Sequence, residues 1–220
     1  MEVKLKKPIL DFNDRLAKEN RELMHEHGIY VLDLLASPGA GKTSLILATI
    51  GALANRYRIA VIEGDIAGDV DAVKIRETGI PAVQINTGGA CHLEATMIAR
   101  ALTSLDLDKI DLIIIENVGN LVCPTDFYLG EDAKVMILSV PEGHDKPLKY
   151  PGVFQASKAV VLSKIDTRSS FNFDENAFRQ SVEQLNPHAV LFSLSAITNE
   201  GVPDWAQWLS SQIEEKKSCS

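Results

Sequence analysis

A chain of 220 residues, of which 45% are apolar and 24% charged, is long enough to bury the core of one α/β domain. Its net charge of −8 argues against nucleic acid as the main partner, because contacts to phosphates need a basic surface. Residues 1–7 lack the apolar stretch of a signal peptide, and no apolar run approaches the roughly 18 residues of a membrane span. Three cysteines, an odd number, do not make a disulfide framework, so we expect a cytoplasmic protein without a membrane partner.

The predicted elements alternate between helices and short apolar strands. Residues 11–26 carry apolar side chains among many charges and predict an amphipathic helix before the first strand. Seven apolar runs follow, at 30–36, 58–63, 82–85, 111–116, 134–140, 159–163 and 190–193. Several are continuously apolar, as buried parallel strands are, and helical stretches separate them. We therefore expect a single α/β domain over residues 1–220, with a doubly wound, mostly parallel sheet of about seven strands and helices on both faces.

The first apolar run leads into a glycine loop and then into a helix predicted at about 44–55. Gly39 and Gly41 let successive backbone N–H groups point at an anion. Lys42 adds a mobile charge for the β- and γ-phosphates, and the hydroxyl of Thr43 is a ligand for Mg²⁺. The full pattern has glycine where Ala36 stands, and the alternative is a glycine-rich turn that binds nothing. The P-loop NTPase fold is favoured, and the nucleotide contacts predicted here are Ser37, Pro38, Gly39, Ala40, Gly41, Lys42, Thr43 and Ser44.

Acidic residues follow two other predicted strands at the same edge of the sheet. Asp65 comes after the second run and Glu116 ends the fourth, where carboxylates can hold Mg²⁺ or orient the attacking water. Residues 116–119 resemble the Asp-x-x-Gly switch of GTPases, and Gly119 would let a backbone N–H approach the γ-phosphate. A solvated acidic turn is the alternative, and it applies more strongly to Asp69 and Asp71. The predicted catalytic residues are Lys42, Thr43, Asp65, Glu116 and Gly119.

The sixth apolar run ends in Ser163-Lys-Ile-Asp166, which is close to the Asn-Lys-x-Asp motif that reads guanine. Asp166 can accept hydrogen bonds from N1–H and the exocyclic amine of guanine, whereas adenine has no equivalent amine. Lys164 can lay its alkyl stem over the base. Serine at 163 weakens the motif, because a hydroxyl cannot brace the loop as an amide does. We expect the backbone amides of Ser195 and Ala196 to complete a pocket for GTP.

Two loops carry soft metal ligands. Cys91 and His92 are adjacent in one loop, and Cys123 lies in another, four residues beyond Gly119. Thiolate and imidazole are ligands for Zn²⁺, Ni²⁺ or Cu⁺, whereas Mg²⁺ prefers oxygen. Three such ligands leave a tetrahedral set incomplete. Two subunits on a two-fold axis can complete one site, whereas unremarkable thiols are the alternative. Cys219 lies in a polar tail and is not expected to bind metal.

The ordered set of motifs resembles the HypB family, SIMIBI-class GTPases that assist nickel insertion into [NiFe]-hydrogenase. The matching stretches are SPGAGKT at 37–43, EGD at 63–65, GACHL at 89–93, ENVGNLVCP at 116–124, EGHDKPLKYP at 142–151 and SKID at 163–166. The resemblance implies a homodimer whose interface binds Ni²⁺ or Zn²⁺ through Cys91, His92 and Cys123. It also implies a HypA-type nickel chaperone and the hydrogenase large subunit as partners. The cysteine or histidine metal motif that some members carry near the N-terminus is missing from residues 1–20.

The expected activity is slow GTP hydrolysis coupled to dimerisation and metal transfer. Residues 116–119 contain no glutamine to orient water, so a partner or second subunit would assist, and Lys146 or Lys149 could approach the nucleotide. One rival is a urease-type nickel chaperone GTPase, in which a Cys-Pro-His metal motif is expected. A P-loop small-molecule kinase or ATPase with incidental thiols is the second, and it predicts no preference for guanine. A metal-storage protein with a structural GTP is the third.

Overall fold

Seven parallel strands form one sheet in the structure, a computed structural model that describes residues 6–66, 68 and 70–218. The strands are β1 Tyr30–Ala36, β2 Ile59–Asp65, β3 Ala82–Asn86, β4 Leu112–Glu116, β5 Ala133–Ser139, β6 Ala159–Ser163 and β7 Val190–Ser193. Their spatial order is β3-β2-β4-β1-β5-β6-β7. The doubly wound α/β prediction is confirmed, and all six strand pairings in the described chain are parallel.

Helices connect these strands and cover both faces of the sheet. They are α1 Lys6–Glu26, α2 Lys42–Leu53, α3 Val70–Arg76, α4 Ala95–Leu102, α5 Lys146–Lys149, α6 Pro151–Ala156, α7 Glu175–Leu185 and α8 Val202–Ser218. Short 3₁₀ helices lie at Leu107–Lys109, Cys123–Asp126, Val140–Glu142 and Ile165–Ser170. No helix in the described part of the chain is long and apolar enough to cross a membrane.

Alternation along β1 explains how the two helical layers are held. Leu32 and Leu34 point into a core shared with α2 and α8, and Val31 points to the opposite face, into a core shared with α1 and α4. Inside this core the Trp205 indole of α8 donates to the Thr49 hydroxyl of α2 at 2.9 Å, so these two buried polar groups are hydrogen-bonded. The sheet is therefore buried on both sides, as its apolar strands predict.

The central position of β1 determines where a ligand can bind. Leu34 lies opposite Glu116 of β4 on one side and opposite Val135 of β5 on the other. The chain leaves β1 toward β2 on one side and later returns to β5 on the other, which opens a crevice at the carboxyl end of β1. The glycine loop leaves β1 at this crevice.

Several boundaries differ from those predicted. The helix predicted at 11–26 begins at Lys6, and α2 begins at Lys42 rather than near 44. Gly41, at φ 100°, takes the left-handed conformation that ends the loop directly before α2. Strand β2 extends through Asp65, which therefore ends the strand instead of following it. Predictions for Asp69, for the Asp71 side chain and for Cys219 concern atoms outside the described part of the chain.

Asp111, directly before β4, carries a strong pH-dependent contact at the other end of the sheet. Its carboxylate accepts from the backbone N–H and guanidinium of Arg58 at 2.8–3.0 Å and lies 3.0 Å from the Lys217 ammonium. The Arg58 hydrogen bonds hold the pKa of Asp111 well below its usual 3.8. This depressed pKa contributes stability that is fully present above the unfolded-state pKa and is lost progressively as pH falls from there through the much lower folded-state pKa.

We expect Asp111→Asn to lower the free energy of unfolding by about 1–2 kcal/mol at pH 7, because a charged acceptor is lost from a half-exposed ion pair. The difference from the wild type should shrink as pH falls below 4. Urea unfolding at pH 7 and at pH 2 measures both values. Asp14→Asn, at an exposed position of α1, is the matched control and should change little at either pH. An equal loss at both pH values would assign the effect to packing rather than charge.

Candidate nucleotide and metal site

The glycine loop lies at the carboxyl end of β1 and borders a cavity of about 440 Å³. Gly39 and Gly41 have φ of 76° and 100°, a backbone conformation in which a side chain would be strained. The loop feeds directly into α2, so the positive end of that helix faces the cavity. The residues that line the cavity are Pro38, Gly39, Gly41, Lys42, Thr43, Ser44, Glu63, Gly64, Asp65, Ile66, Lys74, Glu116, Asn117, Val118 and Gly119.

Six of the eight loop residues predicted to contact nucleotide line this cavity. The exceptions are Ser37 and Ala40. Ala40 is almost fully buried, and its carbonyl accepts a hydrogen bond from the Ser163 hydroxyl, so it supports the loop from behind. Ser37 closes the turn through its carbonyl, which accepts from the Ala40 N–H at 3.3 Å. These two residues shape the loop whose other members face the ligand space.

Oxygen atoms suited to Mg²⁺ converge on the same cavity. The Thr43 hydroxyl donates to a carboxylate oxygen of Glu116 at 3.0 Å. Asp65 lines the opposite wall, where its carboxylate accepts from the N–H groups of Ile66 and Gly68. Hydroxyl and carboxylate oxygens are the ligands that Mg²⁺ prefers, so this donor set fits the ion.

Gly119 belongs to the cavity for a steric reason. A Cβ atom at this position would lie 2.8 Å from the Pro38 ring and 3.0 Å from the Pro38 nitrogen. Only glycine therefore lets the 116–119 segment pack against the glycine loop this closely. A contact between the backbone N–H of Gly119 and a γ-phosphate stays a prediction.

A second cavity, of about 210 Å³, adjoins the first at Gly41 and Ser44. Lys164, Asp166 and Ala196 line it, as expected for a base pocket. Lys164 has a left-handed backbone at φ 58°, which is uncommon for a residue with a side chain, and its ammonium donates to the Gly39 carbonyl at 2.7 Å. The strained lysine therefore joins the base pocket to the phosphate loop.

Two serines near this pocket act through their hydroxyls. Serine at 163 is expected to weaken the base-reading motif, and its hydroxyl donates a single bond to the Ala40 carbonyl at 2.6 Å that braces the glycine loop, where an amide could both donate and accept. Ser195 is fully buried and does not line the pocket. Its hydroxyl accepts from the N–H groups of Ile197 and Thr198, both at 3.2 Å, and so shapes the segment that carries Ala196.

The soft ligands predicted in two separate loops come together. Ligand atoms of Cys91, His92 and Cys123 all lie within 4.8 Å of one another. Cys123 is the first residue of a 3₁₀ helix, which corrects its expected loop position. The His92 ring stacks on Phe127 with centroids 3.8 Å apart. Two thiols and one imidazole match the donor preference of Ni²⁺ or Zn²⁺.

Local electrostatics differ between these ligands. Burial lowers the pKa of His92, which keeps its imidazole neutral and able to bind a metal at pH 7. A hydrogen bond with Cys123 is the main cause that raises the pKa of the Cys91 thiol. Cys91 is therefore protonated before metal arrives, and binding must release its proton.

The nucleotide-binding-domain model of the CobW/HypB/UreG family matches residues 31–193. Hydrogenase maturation factor HypB of Azotobacter vinelandii is 48% identical to this chain, over 96% of the chain and 69% of that relative. The chain belongs to the HypB branch of this family. Hydrogenase/urease maturation factor HypB of Helicobacter pylori is 40% identical over 98% of the chain and 89% of the relative. The crystal structure of H. pylori HypB in complex with nickel superposes with a TM-score of 0.88, covering 93% of this chain and 96% of that one.

Some residues of this HypB-type chain that line or support the site were missed by sequence reasoning. Glu63 of β2 and Lys74 of α3 line the nucleotide cavity. Asn117 also lines this cavity, the buried Asp33 accepts a hydrogen bond from its side-chain amide, and Lys134 contacts Asp33. A charge within an otherwise apolar strand was the available signal for Asp33.

Two lysines considered as approaching the nucleotide lie elsewhere within one HypB-type chain. Lys146 lies over the Tyr150 ring, and Lys149 pairs with Asp145. Neither lines the nucleotide cavity or the base pocket. Any contact between them and a nucleotide would have to come from a second subunit.

Proposed function

We propose that this chain is a GTPase that carries Ni²⁺ for hydrogenase maturation and couples its nucleotide state to dimerisation and metal transfer. One observation carries the proposal: the Cys91, His92 and Cys123 cluster is joined to the nucleotide cavity by the short segment 116–123. A rearrangement around the γ-phosphate therefore reaches Cys123 within a few residues. The similarity to HypB proteins, including one solved with nickel, supports the same function.

Nucleotide hydrolysis is assigned to the 440 Å³ cavity. Lys42 would bind the β- and γ-phosphates, Gly119 would contact the γ-phosphate, and Asp65 would orient water or a metal-bound ligand. Thr43, Asp65 and Glu116 would hold Mg²⁺, whose charge offsets that developing on the phosphates. Among the described residues that line the cavity there is no glutamine or arginine, which agrees with slow hydrolysis in isolation.

Metal transfer is assigned to the thiol and imidazole cluster. Three ligands from one chain leave room for a fourth from a second copy, a partner or water, so we propose a homodimer with the metal near its interface. Zn²⁺ is accepted by the same donors as Ni²⁺ and differs mainly in geometry. A HypA-type nickel chaperone and the hydrogenase large subunit are the proposed source and destination. We also propose that the chain acts as a single domain in the cytoplasm, where free thiols such as Cys91 and Cys123 persist.

Guanine specificity is tested with Asp166→Asn. The variant should bind GTP about 100-fold more weakly than the wild type, because two charge-assisted hydrogen bonds to the base are lost. Xanthosine triphosphate carries a carbonyl where guanine carries its amine, so the asparagine amide can donate to it and binding should be regained. Competition against a fluorescent GTP analogue measures both affinities.

Asp204→Asn, at an exposed position of α8, is the matched control and should leave nucleotide preference unchanged. Equal competition by ATP and GTP in the wild type would favour the rival kinase or ATPase. Unaltered GTP binding by Asp166→Asn would remove this residue from the base pocket.

A further inference from the structure

A buried carboxylate is hydrogen-bonded to two side chains that contact the segments carrying the nucleotide and metal ligands. Asp33 is in the middle of β1, the strand that leads into the glycine loop, and its side chain is fully buried. One of its oxygens accepts from the Asn117 side-chain amide at 3.0 Å, and the other accepts from the Lys134 ammonium at 3.3 Å. We call Asp33, Asn117 and Lys134 the Asp33 network, and we call the contacts of Asn117 and of Lys134 its two arms.

The Asn117 arm reaches the loop that carries Cys91 and His92. The Asn117 amide oxygen accepts from the N–H of Leu93 at 3.2 Å and from the N–H of Val118 at 3.0 Å. Leu93 directly follows His92, so this bond fixes the peptide next to a metal ligand. The Leu93 side chain is fully buried against Gly64, where a Cβ would lie 2.7 Å from it. The peptide after His92 therefore cannot move without moving Asn117.

The Lys134 arm reaches the segment that carries Cys123. The Lys134 ammonium donates to the Phe127 carbonyl at 2.8 Å and to the Pro124 carbonyl at 3.3 Å. Pro124 directly follows Cys123, and the Phe127 ring stacks on His92. The carboxylate of Glu131, 3.2 Å from Lys134, completes the surroundings of this buried cation.

The nucleotide cavity is connected to the same network through the backbone. Asn117 lies between Glu116, whose carboxylate accepts from Thr43, and the 118–119 segment that packs on the glycine loop. The backbone N–H of Asn117 donates to the Leu34 carbonyl of β1, one residue from Asp33. A shift of the 116–119 segment must therefore change the contacts of the Asn117 side chain.

The buried pair of Asp33 and Lys134 is not explained by a gain in folding stability. Burying a carboxylate and an ammonium costs desolvation, and apolar replacements of buried ion pairs are often as stable or more stable. Desolvation raises the pKa of Asp33, against the opposing effects of Lys134 and of the Asn117 hydrogen bond. A fully hydrogen-bonded buried network does, however, fix the relative position of the segments that it joins.

We propose that the Asp33 network sets the spacing of the metal ligands and transmits the nucleotide state to them, with Asn117 as the positioning residue. The proposal rests on the proposed function. A nucleotide-driven shift of Asn117 moves the peptide after His92, while Lys134 ties the residues that follow Cys123 to β1, so the two metal-binding loops respond differently to the same shift. The distance between the ligands of the two loops then differs between GTP and GDP states. Metal binding must change nucleotide affinity by the same factor in return.

The test measures a coupling factor, the ratio of the Ni²⁺ affinities with a non-hydrolysable GTP analogue and with GDP. Ni²⁺ binding is followed by its thiolate charge-transfer absorption in the wild type and in Asn117→Ala. We expect a wild-type factor of about 5 to 150, and a factor below about 2 in the variant. Nucleotide affinities measured with and without Ni²⁺ provide the reciprocal value.

A second variant and a matched control separate positioning from structural damage. Asp33→Asn combined with Lys134→Met removes the charges of Asp33 and Lys134 together with the bonds from Lys134 to the Pro124 and Phe127 carbonyls. This double variant should also lower the coupling factor. Asn186→Ala removes an asparagine that donates to the carbonyl of Phe154 in α6 and to that of Ser157 directly after α6, and Asn186 lines neither the nucleotide cavity nor the base pocket. It should lower the melting temperature and leave the coupling factor unchanged.

The outcomes are distinguishable. A wild-type factor near 1 would contradict the proposed function and, with it, the role of the network. If the wild type shows coupling and both network variants keep the same coupling factor, the proposed role of the Asp33 network is overturned and the proposed function is not. If Asn117→Ala does not fold, the double variant decides the result.

Discussion

Replacing Lys42 with alanine is expected to lower GTP turnover by about 100- to 1,000-fold, the cost of removing one preorganised group that stabilises charge in the transition state. Lys42 is the first residue of α2 and lines the nucleotide cavity. The residue is only 9% exposed, as expected for a lysine that faces a cavity rather than open solvent. Phosphate release at saturating GTP measures the loss, and nucleotide affinity is measured separately to divide binding from catalysis.

The matched control for Lys42 is Lys109→Ala. Lys109 is an exposed lysine at the opposite end of β4, where it pairs with Asp106, and its replacement should leave turnover unchanged. Turnover of Lys42→Ala within twofold of the wild type would contradict the phosphate role of Lys42. The same assay on Lys74→Ala would then be the next step, because Lys74 lines the same cavity.

Replacing Cys91 or Cys123 with alanine should weaken Ni²⁺ binding by about 100-fold or more. Changing groups that merely support a metal ligand already costs about 10- to 100-fold, and these two thiols are the ligands themselves in the proposed site. Both sulfur atoms lie within 4.8 Å of the His92 ligand atom. Isothermal titration with Ni²⁺ at fixed pH measures the affinity and the number of sites per chain.

The third cysteine provides the control for thiol content. Cys219→Ala removes a thiol from the C-terminal tail and should leave Ni²⁺ affinity unchanged. Similar losses in all three variants would point to nonspecific thiol binding. Normal Ni²⁺ affinity in Cys91→Ala would exclude the adjacent Cys91 and His92 pair as the core of the site.

The fold was largely predictable because its strands are short apolar runs separated by helical stretches. The runs at 30–36, 159–163 and 190–193 agree with β1, β6 and β7 residue for residue, since continuous apolar stretches between helices have few other interpretations. The predicted ends of helices and strands were wrong where backbone conformation or strand pairing determines where an element begins or ends. The start of α2 depends on the left-handed conformation of Gly41, and the extension of β2 to Asp65 depends on pairing with β3.

The site was predictable where a motif has fixed spacing and less so where distant residues meet. The loop at 37–44 and Asp166 could be placed because the chemistry of phosphate and guanine requires local patterns. Asp33 and Lys134 lie about 100 residues apart, and each is a single charge in or beside an apolar run. Their contact appears only when β1 and β5 pair. The hydrogen bond from Ser163 to the Ala40 carbonyl could not be predicted, because the two residues lie in loops that are distant in sequence.

If metal and nucleotide bind to one coupled system, the Ni²⁺ affinity depends on which nucleotide is bound. The wild-type chain is titrated with Ni²⁺ in the presence of GDP and of a non-hydrolysable GTP analogue, with affinity, stoichiometry and oligomeric state recorded together. We expect the Ni²⁺ affinity and the dimer fraction to differ between the two nucleotide states, and Cys91→Ala to abolish the difference. Identical Ni²⁺ affinity and identical oligomeric state with both nucleotides would contradict the account.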